Sequence, residues 1–141
     1  MKLSEQIKRN AIALISLFVA FSALGYNTWR NEASEENRNI RKAGFETIVH
    51  IGKLQRTAYL VHFDKDKVRG NPRIGWTEVL LIDDFSRLMP IKVNNKSKSL
   101  LKAWENNWQA LGTKDEKAIQ EIDKAINDLR NVVLQTITEL D

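Results

Sequence analysis

The chain has no cysteine and only two prolines in 141 residues. The first absence excludes disulfides, zinc–thiolate sites, thiol catalysis and a lipidated cysteine together. It is compatible with an oxidising compartment without requiring one. The second leaves Pro72 and Pro90 as the main helix breaks. Histidine is scarce as well. His50 and His62 lie more than three turns apart on one expected helix, so they cannot share a metal within one chain. There is no HExxH, no phosphate-binding glycine loop and no Gly-x-Ser-x-Gly. Asp83-Asp84 is the one pair of adjacent aspartates, and neighbours on a helix diverge by about 100°. A solvated face carrying an ion pair of Asp83 with Arg87 at i,i+4 accounts for it better than chemistry does. These absences point away from an enzyme, a cofactor and a metal.

Charge gives little direction. The net charge is +4, but residues 1–10 hold Lys2, Lys8 and Arg9 against Glu5. Residues 30–141 keep 19 basic and 17 acidic side chains, so the long part is nearly balanced. The pI is therefore a poor argument for nucleic acid, and no nucleic-acid partner is expected.

The longest uncharged stretch follows the basic start. Ala11 to Leu24 is apolar except for Ser16 and Ser22, and Tyr26 and Trp29 extend it. As a helix, residues 11–29 span about 28 Å, close to a hydrocarbon core of about 30 Å. Lys8 and Arg9 stand before it, and Tyr26 and Trp29 stand where interfacial aromatics belong. Two other readings share these features. A cleaved signal peptide would use Ala23-Leu24-Gly25 as its small-x-small site. A buried soluble helix would need a larger protein around it than this chain supplies. The apolar character continues to Trp29 without a break, which favours a retained anchor. The basic tail, residues 1–10, would stay in the cytoplasm, with residues 11–29 spanning the membrane. Residues 30–141 would then lie outside the cytoplasm, in the periplasm of a Gram-negative bacterium. The expected location is the bacterial inner membrane, single-pass, with the bundle in the periplasm or outside.

Beyond the span the fold class is all-α. With no proline before Pro72, one helix is predicted over about 30–65, continuous with the span. Gly44 and Gly52 in it are expected at close approaches of a neighbouring helix. Asp64 to Gly75 is a loop by composition. Thr77 is expected to cap a helix running to about Leu88. "IKVNNKSK" is expected as a second loop, with Ser97 capping the next helix and Gly112 ending it. Leu100, Leu101, Trp104, Trp108 and Leu111 make its apolar face. Thr113 and Glu116 have capping-box spacing. The last helix carries Ile119, Ile122, Ile126, Leu129, Val133, Thr136 and Leu140 at alternating steps of three and four, a heptad seam. Two long and two short amphipathic helices read as an antiparallel bundle of about four.

Candidate contact residues follow from exposure and type. Lys65, Lys67, Arg69 and Arg73 precede Trp76 closely, a basic loop beside a tryptophan. Trp104 and Trp108 stand four apart on one face, as core, as the wall of a ligand pocket or as a partner surface. The order of elements resembles the extracytoplasmic four-helix sensory domains of bacterial chemoreceptors, which also run from a basic tail through a span into a long first helix. The resemblance implies a bundle outside the cytoplasm, without a second span or signalling region here. The reading is an anchored interaction or tethering module, with a sensor-like ligand-binding bundle as the alternative. Its expected partners are the membrane and a protein or a second copy through the heptad seam and the anchor, with a small ligand as the alternative.

Overall fold

A computed structural model describes residues 3–140, with side chains from Glu5 onward; Lys2 of the basic tail and Asp141 lie outside it. The described residues form helices and connections, with no strand. α1 is Leu3–Arg9 and α2 is Ala11–His62; α3 is Pro72–Ser86, α4 is Ile91–Asn107 and α5 is Glu116–Thr138. The chain divides into two compact units, one up to Asn37 and one from Arg38.

The first unit is a single layer of helix. One described helix is long and apolar enough to cross a membrane, and its qualifying window sits near the N-terminus with none of it buried. Signal sequences pass the same test of length and composition. Ile12, Phe18, Phe21, Leu24, Tyr26 and Trp29 each expose more than three-fifths of their surface. Lys8 and Arg9 are exposed in the last turn of α1. Tyr26 and Trp29 stack obliquely, with ring centroids 6.0 Å apart.

The second unit owns the core. Its α2 residues Ile51, Leu54 and Ala58 are fully buried with Val79 and Ile82 of α3, Val93, Leu100 and Trp104 of α4, and Ile122, Ile126 and Leu129 of α5. α3 packs on α4 and α4 on α5. Polar clips join α2 to α5: Gln55 Nε2 donates to Asp123, Arg130 donates to Gln55 Oε1, and Arg41 donates to Leu140 O. Ser97 of α4 donates to Asp83 Oδ1 of α3 at 3.2 Å.

Several boundaries differ from the sequence reading. α3 starts at Pro72, because Asn71 accepts from Arg73 N and proline suits the first helical position. Thr77 is inside the helix, donating to Arg73 O. α4 begins at Ile91, directly after Pro90, so "IKVNNKSK" is helix rather than loop. Its polar residues misled because the lysines and Asn95 lie toward the outer side, while Val93, Asn94, Ser97, Leu100 and Trp104 turn inward. Asp115, not Thr113, caps α5, accepting from Lys117 N at 3.0 Å. Thr113 Oγ1 accepts from Asp115 N one step earlier.

The α5 seam is buried from Ile119 through Thr136, so this chain's own helices occupy it. Gly44 does mark a close approach: a Cβ there would meet Ile137 Cδ1 at 2.7 Å. Gly52 does not, since nothing lies within 4 Å of its absent Cβ. The tightest glycine is Gly75, where a Cβ would sit 2.1 Å from the Trp104 ring.

Candidate interaction site

The basic loop is built around one aspartate. α2 ends in a turn with Lys65 at φ 54°, the left-handed region, and Asp66 N–H reaches back to Leu60 O at 2.9 Å. Asp66 Oδ1 then accepts from Val68 N and Arg69 N, and Oδ2 accepts from Arg69 Nε at 2.6 Å. The backbone bond from Arg69, followed by its side chain, holds the Asp66 carboxyl below the usual range. Gly70 is needed next, because a Cβ would lie 2.6 Å from Asp66 O.

This loop brings Arg69 to a cleft of about 400 Å³ between α2 and the start of α3. Lys53, Arg56, Thr57 and Leu60 line it from α2, and Ile74 and Glu78 from α3. Lys53 and Arg56 form no ion pair among the described residues. At the wall, Glu78 Oε2 lies 2.5 Å from His50 Nδ1, and both side chains are only 12% exposed. Phe85 stacks on the His50 ring, centroids 5.6 Å apart. The cleft therefore joins two free cations to a buried, hydrogen-bonded acid–imidazole pair. Neither the pair nor the cleft was read from the sequence. His50 and Glu78 meet only because α2 and α3 pack together.

The second histidine is structural. His62 is buried, and its Nδ1–H donates to Leu111 O at 3.1 Å. Among the described residues no group of three or more potential ligands could hold a metal. Asp83 is not on a solvated face as expected. It is buried, accepting from Arg87 at 2.6 Å and from Ser97, while Asp84 stays exposed.

The other candidate residues separate. Arg73 is exposed in the first turn of α3. Trp76 and Trp108 are half-buried and meet edge to face at 6.5 Å. Trp104 has no exposed surface, and its Nε1–H has no hydrogen-bond partner. Trp104 is thus core and cannot touch a partner. Trp108, the C-cap of α4, keeps helical backbone and packs half-buried against the same core.

One further surface emerges from exposure. Phe45, Val49, Tyr59 and Phe63 are 56%, 50%, 37% and 63% exposed on α2 and its last turn. They stand on the side opposite Thr47, Ile51, Leu54 and Ala58, which are fully buried. With Gly52 and Arg56 they step along the helix by four, three, four, three and four residues.

No protein-family model, curated protein or solved structure matches this chain.

Proposed function

We propose that this is a single-pass membrane-anchored protein whose helical bundle is an interaction module outside the cytoplasm. The carrying observation is the apolar, wholly unburied first part of α2. Side chains such as Ile12 at 82% and Phe18 at 73% exposure need a solvent of hydrocarbon. A helix satisfies its own backbone there, so nothing else is required to hold it. The basic residues Lys8 and Arg9 orient the short tail towards the cytoplasm.

In this reading the unit from Arg38 folds as an antiparallel four-helix bundle. The support is the pairing of early with late residues: Arg41 with Leu140, Lys92 with Glu139 and Asn107 with Glu121. Its role is recognition, since the cleft and the outer face of α2 are its distinctive surfaces. A second reading, a ligand-binding bundle, is favoured by the cleft's unpaired Lys53 and Arg56, which suit a small anion.

The test is fractionation of the intact chain. It should pellet with membranes and resist alkaline extraction, and a protease added outside should degrade the bundle while leaving the tail. Release by alkali or salt alone would refute the anchor. Calorimetric titration with inorganic phosphate and with citrate tests the second reading, which fails if no heat accompanies saturation by either.

A further inference from the structure

We infer that two copies of this chain pair in parallel through the outer face of α2. The proposal rests on the anchored reading for the side-by-side arrangement, but its surface is defined by the bundle alone.

α2 has two apolar faces, and the fold buries one; on the other, only Tyr59 reaches α5, its hydroxyl donating to Asp123 at 3.0 Å. The inner face carries the core residues Ile51, Leu54 and Ala58. The outer face carries Phe45, Val49, Gly52, Arg56, Tyr59 and Phe63. Alternating steps of four and three are the spacing at which two α-helices wind around each other. In heptad terms Phe45, Gly52 and Tyr59 take the d positions, and Val49, Arg56 and Phe63 the a positions. A soluble helix needs one such stripe to join its bundle; a second, turned outward, calls for a second helix. Phe63 extends the last turn, its N–H bonded to Tyr59 O at 2.8 Å.

The occupant is set by complementarity of the face with itself. In a parallel pair the g position of one helix faces the following e position of the other. Of these, Arg41 with Glu46 is the charged pair, of opposite sign and made twice about the two-fold axis, while Ile48 with Lys53 and Gln55 with Leu60 form no ion pair. Arg41 already lies along the bundle edge, donating to Leu140 O. At the centre Gly52 meets its own counterpart with nothing within 4 Å of where a Cβ would be, which permits close backbone approach. Lys42 and Arg56 are the charged layers, both at a positions. Polar a positions lower stability while restricting register, and both long side chains can leave the seam, Arg56 for the cleft it already lines.

Area places the association at the weak end. At the exposures above, the three aromatics contribute roughly 300 Å² per copy, taking about 200 Å² for each whole ring side chain. Two copies give about half of the ~1,200 Å² at which stable interfaces begin. Val49 and the stems of Glu46, Lys53, Arg56 and Leu60 add to this. Confinement of both chains to one membrane raises their effective concentration and supplies the remainder.

The absence of cysteine makes the test direct, because any single introduced cysteine is unique. The full chain in phosphatidylcholine vesicles is oxidised mildly after Val49→Cys, Gly52→Cys or, as an exposed control on α4, Lys102→Cys. A disulfide needs Cα atoms within about 4.4–6.8 Å. Covalent dimer at Val49→Cys and Gly52→Cys, with little at Lys102→Cys, is the expected result. Glu46→Arg should then cut dimer yield about tenfold, two ion pairs having become two repulsions. The exchange Arg41→Glu with Glu46→Arg should restore it. Equal yields at all three cysteines, or a charge exchange that does not restore the pair, would overturn the proposal. So would crosslinking only between Val49→Cys and Tyr59→Cys chains, which means antiparallel pairing. Alkaline extraction of the same samples separates the two readings. A chain released by alkali that still crosslinks at Gly52→Cys upholds the seam and refutes the anchor.

Discussion

Gly75→Ala should destabilise the bundle although alanine is the better helix former. Gly75 is inside α3, so the substitution gains about 1 kcal/mol of helix propensity. The new Cβ, however, would lie 2.1 and 2.3 Å from two carbons of the Trp104 ring. Carbon atoms pack best at about 3.5–4.0 Å, so ring or helix must retreat by more than 1 Å. Trp104 has no exposed surface, so the ring cannot swing into solvent. Overpacking of this kind costs about 1–3 kcal/mol and here belongs at or above the top of that range. The net loss is about 2 kcal/mol, or about 10 °C in Tm for a unit of this size. The assay is thermal and urea unfolding of the full chain in mild detergent, followed by circular dichroism. A companion variant isolates the cause. Trp104→Phe removes the part of the indole that meets Gly75, and with it the unpartnered Nε1–H. Gly75→Ala should therefore cost at least 1 kcal/mol less in the Trp104→Phe background than in the wild type, a coupling expected only for groups in contact. If Gly75→Ala is neutral, or costs the same in both backgrounds, the proposed contact is not what constrains this position.

Gly52→Ala has the opposite sign: with open space at its Cβ it should stabilise the monomeric bundle by about 0.5–1 kcal/mol, read in the same melts. Lys65→Gly should also stabilise, by about 1 kcal/mol, because φ 54° favours glycine and the exposed Lys65 Nζ bond to Thr113 O is weak at 3.3 Å. Burial, then the hydrogen bond to Asp123, raises the Tyr59 hydroxyl above its ordinary value. The neutral phenol therefore contributes stability that is complete below about pH 10 and lost as pH rises through the folded value; Asp123→Asn in a Tyr26→Phe background should bring the 295 nm absorbance transition to lower pH. The bond from Lys92, then that from Gln135, lowers the Glu139 carboxyl. Its contribution is present above the ordinary carboxylate range and lost as pH falls through the depressed value, so Glu139→Gln should flatten the acid limb of stability slightly.

The features legible along the chain rest on local chemistry. The apolar stretch from Ala11, the absence of proline before Pro72 and the three-and-four periodicity of α5 specify helices whatever they pack against. The Asp83–Arg87 pair was legible for the same reason, because i,i+4 neighbours meet on any helix. Asn71-Pro72 carried an equally local start signal that a weaker one at Thr77 obscured. Tertiary structure decided everything that depends on which face meets which helix. Gly44, Gly52 and Gly75 are chemically identical in the sequence, yet one contacts Ile137, one faces open space and one abuts Trp104. His50 and Glu78, 28 positions apart, become a hydrogen-bonded pair only when α2 lies against α3. The heptad of α5 and the heptad on the outer face of α2 have the same spacing, but packing buries the first and leaves the second exposed. Periodicity fixes where an apolar stripe lies on its own helix; only the presence of a neighbouring helix decides whether that stripe is core or surface.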